Sequence, residues 1–426
     1  MSLLRKIIAN SCKGAAIVSL AGCCIFASCD DNQKLDPKTD QNKPNTTKPA
    51  DSEANKKADC EKANSKIAQK EQPIIEVAFV LDTTGSMTGL IEGAKQKIWY
   101  IANEIITGEP KPKVRIALIG YRDKGDAYVT KTFQMTDDID KIYEELHKFK
   151  AEGGGDTPEN VNQALYEAIN KIEWNNSKNV MRSIFLVGDA PPHNEYKDVP
   201  TYQELCKQAQ KKKIFINTIR CGKIYEAKKP FIEIAALSGG DHFVVAQDGN
   251  AQVIATPYDR ELAELNCKLV GTVETYGYAA SQKSSELANK MATSLADKAD
   301  APGADKETRN KAFAKAANRA IYSAKAKKGG SGDLIEQIEK KSIDIDKIDR
   351  KLLNPKMQKM SAEEMKKHIA SQITKRKEIS SKILELSKKR DAFISKNKPK
   401  DHNSFDSKMI KSLQKQAKEI NVEYKK

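Results

Sequence analysis

The chain has 426 residues, a formal net charge of +15 and only 6% aromatic residues, which is too long for one typical core and calls for two or three structural regions. By count, residues 281–426 carry roughly +16 and everything before them is near neutral, so the basic character belongs to the tail. The lack of CxxC and HExxH spacing argues against structural zinc and thioredoxin-like redox chemistry, and scarce aromatics among the lysines argue against nucleic acid as a partner.

The first residues combine a cationic start (Arg5, Lys6, Lys13), an apolar stretch over 15–27 and small residues before a cysteine, which is the organisation of a secretory signal. The stretch is shorter than the roughly 20 residues a membrane span requires. It resembles a bacterial lipoprotein signal with two competing acceptors. Cys23, after Leu20-Ala21-Gly22, fits the lipobox better, whereas Cys29, after Phe26-Ala27-Ser28, is followed at once by Asp30 and Asp31 and is preferred. Residues 1–28 are therefore expected to be a signal peptide, with Cys29 (alternatively Cys23) carrying a lipid anchor. The expected location is the cell envelope, facing the periplasm or the cell surface. Residues 29–72, rich in Asn, Lys, Asp, Pro and Thr, cannot bury enough apolar surface to fold and are expected to be a disordered tether. In an oxidising compartment Cys60, Cys206, Cys221 and Cys267 are free to pair, with a connectivity that spacing does not reveal.

From 73 to 250 short apolar runs alternate with helical patterns. Residues 74–81, 114–121, 183–187, 214–219 and 242–245 read as strands, and 87–107, 137–150, 158–172, 202–211 and 225–237 as helices. This predicts an α/β domain with a mostly parallel, Rossmann-like sheet. Residues 128–135 alternate and follow 114–121 across a turn containing Lys124-Gly125-Asp126, so they are expected to form an antiparallel edge strand.

After 250 the pattern turns helical. A helix is expected from 254 to 269, within a helical extension spanning 251–328. A Gly329-Gly330-Ser331-Gly332 break follows. Residues 329–426 are basic and keep near-heptad spacing: Leu334, Ile338, Ile345, Ile348 and Leu352, then Met365, Ile379, Leu386 and Phe393. Asn354-Pro355 ends the first helix, and Ser361 with Glu364 forms a capping box for the second. The spacing predicts a coiled-coil hairpin, packed on itself or on a second copy, with a weaker third segment at 404–420.

Oxygen donors gather after the strands. Asp82, Thr84 and Ser86 lie in Asp82-Thr83-Thr84-Gly85-Ser86-Met87, Thr157 follows Gly153-Gly154-Gly155-Asp156, and Asp189 follows 183–187. Ligands of open α/β sheets collect at the carboxyl ends of the strands. If the edge strand runs downward, the helix at 137–150 climbs back and delivers Thr157 beside the other two loops. The set Asp82, Thr84, Ser86, Thr157 and Asp189 offers hard oxygens only, which suits Mg²⁺ or Mn²⁺ and not zinc. Arg122, Asp123, Asp126, Asp156 and His193 are expected on loops around the same face, where they would select a partner.

These residues resemble a von Willebrand factor A-type (VWA) domain, whose metal-ion-dependent adhesion site has the pattern Asp-x-Ser/Thr-x-Ser, a Thr in a Gly-rich loop and a later Asp. The likeness extends to exported bacterial proteins of this type through Gly120-Tyr121-Arg122-Asp123, Gly155-Asp156-Thr157-Pro158-Glu159, Gly188-Asp189-Ala190-Pro191-Pro192-His193 and Thr256-Pro257-Tyr258-Asp259. One departure is Thr84, where many such sites have Ser. The resemblance implies that Ser86, Thr84 or Thr157 binds the ion directly, that Asp82 and Asp189 act directly or through water, and that an Asp or Glu of a partner protein completes the coordination. Enzyme patterns fit poorly. The Gly-rich loop lacks a Gly-Lys-Ser/Thr ending, Ser86 stands one position early for a nucleophile elbow, and no Gly-x-Gly-x-x-Gly follows a strand. The alternative is a structural or assembly protein of the envelope, acting through its basic helical region on anionic lipid or an acidic partner.

Overall fold

The computed structural model describes residues 71–155, 157–330, 332–397 and 404–425; the expected signal, nearly all of the tether, Cys23, Cys29, Cys60 and Asp156 lie outside them. Six strands form one sheet: β1 (Ile74–Asp82), β2 (Lys113–Tyr121), β3 (Thr130–Thr136), β4 (Val180–Gly188), β5 (Ile214–Cys221) and β6 (His242–Val245). Their order is β3-β2-β1-β4-β5-β6, and every pairing is parallel except β2 with the edge strand β3.

Helices cover both faces, and that explains the almost continuous apolar run of β1, interrupted by the buried Glu76, which pairs with Arg115. Ile75, Val77, Phe79 and Leu81 point to one face, and Ala78 and Val80 to the other. On the first face lie α1 (Thr88–Ile105) and α2 (Ile139–Lys148); on the second lie α3 (Val161–Asn170), α4 (Tyr202–Lys211) and α5 (Lys228–Ser238). α3 starts later than Pro158 suggests, because Asn160 is its cap and accepts from the Gln163 N–H at 3.2 Å. Residues 158–160 are thereby left to pair with the loop after β4, where Glu159 bridges Pro192.

The helices that follow are α6 (Asp259–Val270), α7 (Ala279–Asp300) and α8 (Lys306–Ala326). α8 lies against α1, with Asn103 Nδ2 donating to the Asn318 carbonyl at 2.7 Å and Gln96 Nε2 to that of Lys311 at 2.9 Å. Ala312, Ala316, Ala317 and Ala320 keep its buried side small enough for close approach. Packing therefore continues across the boundary expected near 250: the described residues from 71 onward belong to one compact unit. Among the described residues no helix is long and apolar enough to cross a membrane.

The C-terminal region is helical, but the first arm of the expected hairpin is not a continuous helix. It holds α9 (Leu334–Glu339), 3-10 turns at Ile345–Lys347 and Arg350–Leu352, and α10 (Pro355–Gln358). Asp344 and Asp349 each bond a backbone N–H two residues on and divert the chain from helix. The heptad side chains Ile338, Ile345, Ile348 and Leu352 still pack against the apolar cluster to which Met365 and Ile369 belong. The second arm is α11 (Ala362–Asn397), started by the expected capping box, in which Ser361 N–H donates to Glu364 and Glu364 N–H to Ser361 Oγ.

The segment expected to be weakest completes one face of the sheet. α12 (Phe405–Gln416) and the 3-10 turn Ala417–Ile420 return to the first face and bury Phe405, Met409, Leu413, Ala417 and Ile420 in the main core. A buried polar trio fixes the register: Ser183 Oγ donates to Gln416 Oε1 at 3.1 Å, Gln416 Nε2 to Asn217 Oδ1 at 2.8 Å, and Asn217 Nδ2 to Ser183 Oγ at 2.8 Å.

Candidate metal centre

β1 ends on Asp82, which is fully buried. Its Oδ1 accepts the Thr84 N–H at 2.8 Å and the Thr84 hydroxyl at 2.6 Å, while Oδ2 is buried with no hydrogen-bond partner. The Thr84 and Ser86 hydroxyls are 3.5 Å apart, with Thr84 buried and Ser86 exposed. The Gly-rich loop is stitched to this turn by its backbone: Gly85 N–H donates to the Gly153 carbonyl at 3.2 Å, and Glu152 N–H to that of Thr83 at 3.1 Å. Gly154 faces Thr84, so that a methyl there would lie 3.5 Å from Thr84 Cβ. Thr157 stands exposed on the same loop. Asp189, one residue beyond β4, is buried beside Asp82, and Gly188 is needed for that approach, since a Cβ there would lie 2.3 Å from Tyr121 Oη and 3.3 Å from Asp82 Cβ. The three loops converge as the downward edge strand requires.

The rim expectation needs correction. Arg122, Asp123 and His193 are 3, 7 and 5% exposed, so they brace the loops from within instead of facing a partner. Arg122 donates to the carbonyls of Thr83 at 3.1 Å and Lys150 at 2.7 Å, and its guanidinium lies 4.4 Å from the Tyr128 ring. Asp123 Oδ2 accepts from the Tyr196 hydroxyl at 2.9 Å and lies 3.3 Å from His193 Nε2, and the His193 ring stacks on Tyr196. Asp126 supports the Gly-rich loop by accepting the Gly154 N–H at 3.3 Å. Periodicity cannot report burial in loops, so nothing in the sequence separated these residues from an exposed rim.

Two contributors were missed. Glu159 is buried, its Oε1 lies 3.6 Å from where a Gly154 Cβ would stand, and its Oε2 has no hydrogen-bond partner. Its place in Gly155-Asp156-Thr157-Pro158-Glu159, one turn before a helix, was the available signal. Gln247, just past β6, donates to Asp189 Oδ2 at 2.6 Å. Its signal was position, at the carboxyl end of a parallel strand like Asp82 and Asp189.

The electrostatics favour a cation. Burial pushes the Asp82 carboxyl up to about 7, against two Thr84 hydrogen bonds and with Asp189 adding to the rise. Burial, then Asp82, Asp123, Asp126 and Asp189, push Glu159 up to about 9. Among the described residues no three His, Cys, Asp or Glu side chains can hold a metal by themselves, so a site here depends on the hydroxyls. The unpaired oxygens of Asp82, Asp123 and Glu159 suit a small hard cation, which would displace the protons that burial favours on Asp82 and Glu159. Cys206, Cys221 and Cys267 are free thiols, and Cys221, at the end of β5, is buried near Asp189 and Asp82.

A family model described as von Willebrand factor A domain matches residues 76–247, so the sheet region carries a VWA domain. Among curated proteins the chain is similar to von Willebrand factor A domain-containing protein 7 of Homo sapiens, at 32% identity over 124 residues, 29% of this chain and 13% of that protein. It is also similar to an ariadne-like RING finger protein, R811, of Acanthamoeba polyphaga mimivirus, at 24% identity over 46% of this chain and 21% of that protein. The chain thus spans about a fifth or less of these relatives. Among solved structures it is similar to the SpRpn10 VWA domain, at TM-score 0.32 and 18% identity, over 41% of this chain and 89% of that one. Another is proximal thread matrix protein 1 from the mussel byssus with a zinc-occupied MIDAS motif, at TM-score 0.32 and 16% identity, over 42% of this chain and 43% of that one.

Proposed function

We propose that this chain is a lipid-anchored protein of the cell envelope that binds a partner protein through a divalent metal ion, Mg²⁺ or Mn²⁺, held at the carboxyl ends of β1 and β4, and that it is not an enzyme. The observation that carries the reading is the pairing of exposed hydroxyls on Ser86 and Thr157 with buried, incompletely satisfied carboxylates beneath them. Asp82, Thr84, Ser86, Thr157 and Asp189 would hold the ion. Asp82 and Thr84 are preset by their mutual hydrogen bonds, and the buried Glu159, which keeps its proton at neutral pH while no cation is bound, would lose it more readily as one arrives. A bound ion supplies positive charge with an open position for a partner's carboxylate. The chain's own residues do the rest: Arg122 holds the first turn against the Gly-rich loop, and the Glu159–Pro192 bridge holds that loop against the one carrying Asp189.

The test is an envelope pull-down with the full chain, with and without EDTA, beside Asp82→Ala. A partner captured only by the native chain and only with metal supports the reading. Identical catches in all arms would overturn it and return weight to the basic helical region.

A further inference from the structure

Gln247 is exposed, yet the nitrogen end of its amide is held by three partners. Nε2 donates to Asp189 Oδ2 at 2.6 Å and to the Ser86 carbonyl at 3.1 Å, and lies 3.7 Å from Met87 Sδ. All three are acceptors, so the nitrogen end must face them. On the other side a Cβ at Gly222 would lie 1.9 Å from Gln247 Oε1, and Gly222 has φ +64°, so a glycine at the end of β5 leaves room for the amide in this orientation. The Gly222 N–H donates to the Val245 carbonyl at 3.1 Å, and the Phe405 N–H to that of Gly249 at 3.0 Å, which fixes the backbone on either side of Gln247.

The consequence lies in which carboxylate oxygens are engaged. Asp82 Oδ1 accepts twice from Thr84 and Asp189 Oδ2 once from Gln247, so in each carboxylate the other oxygen is the one more open to an ion. Ca²⁺ takes about 6–8 oxygens and favours two-oxygen carboxylates, whereas Mg²⁺ and Mn²⁺ accept six-fold coordination with single oxygens and water. We infer that Gln247 is a positioning residue that leaves one oxygen of Asp189 more open than the other and so makes the centre discriminate against Ca²⁺. This rests on the metal-binding reading above.

The experiment titrates Mn²⁺ into the full chain by electron paramagnetic resonance, with Ca²⁺ as competitor, for the native protein, Gln247→Ala, Gln247→Met and Asp82→Ala. Melting in EDTA reports the fold of each. The native chain should bind Mn²⁺ and Asp82→Ala should not. Gln247→Ala should bind Mn²⁺ about 10-fold more weakly, and Ca²⁺ should displace Mn²⁺ from it at lower concentration. Gln247→Met keeps the length without the donor, and it decides the matter if the alanine variant melts early. Native-like Mn²⁺ affinity and Ca²⁺ competition in a folded Gln247 variant would overturn the role of Gln247 while leaving the metal site intact. No Mn²⁺ binding by the native chain would overturn the metal reading and this inference with it.

Discussion

Asp82 is fully buried with one carboxylate oxygen unpaired, an arrangement that costs stability unless a cation arrives. Asp82→Asn keeps the shape and removes the charge. It is expected to raise the stability of the metal-free protein by about 1 kcal/mol and to lack the stabilisation by Mn²⁺ that the proposed metal site would give the native chain. Paired thermal melts with Mn²⁺ and with EDTA read both, and a variant less stable than native in EDTA would contradict the account. The convergence of the loops that carry the five proposed donors was legible because hydroxyls and carboxylates at strand ends stand out in their spacing. Glu159 and Gln247 were not, because a buried carboxylate in a loop and an amide that reaches across two strands have no periodic signature.

Buried arginines dock the added helices. Arg319 on α8 reaches Asp140 at the start of α2, with Nε to Oδ1 at 2.9 Å, and Asn266 on α6 at 2.8 Å. Arg390 on α11 meets Asp259 at 2.7 Å, and Arg376 is held by Thr272 and Asp333. Arg319→Ala would leave Asp140 in a largely dry site and should destabilise the fold by roughly 3 kcal/mol, measurable by urea unfolding. A milder case is Asp137, where burial alone would raise the carboxyl, but Lys328 at 2.7 Å and Lys113 at 3.3 Å bring it down to about 2. The folded value lies below the usual 3.8, so the contribution is complete above that value and is lost as pH falls toward 2. Asp137→Asn should cost about 1 kcal/mol at neutral pH, after allowance for solvent screening, and nothing measurable near pH 2. The strands were plain in the sequence as apolar runs bounded by turns. The first arm of the tail was misread because its heptads are real, while Asp344 and Asp349 capture the backbone locally.

At the scale of the molecule, the sheet is finished by the last helix. An amphipathic pattern shows that α12 buries a face but not what it covers, so residues 404–420 read as a weak appendage. Leu413, 1% exposed, faces the main core, and Leu413→Ala should cost about 2–5 kcal/mol. A fragment ending at 250 should lose its near-ultraviolet circular dichroism, because Phe79, Ile98 and Met181 belong to the core that α12 completes. A cooperatively folded fragment would refute this. The same feature sets a timetable for folding. Ser183 waits for a partner 233 positions later, and the Ile105 carbonyl for the Tyr424 hydroxyl 319 positions later. Closing such distant pairs is slow, and until α12 has emerged the first face of the sheet has only part of its cover. A nascent chain therefore stays unfinished for almost its whole synthesis, the state in which a polypeptide can still be threaded through a narrow channel or captured by a chaperone.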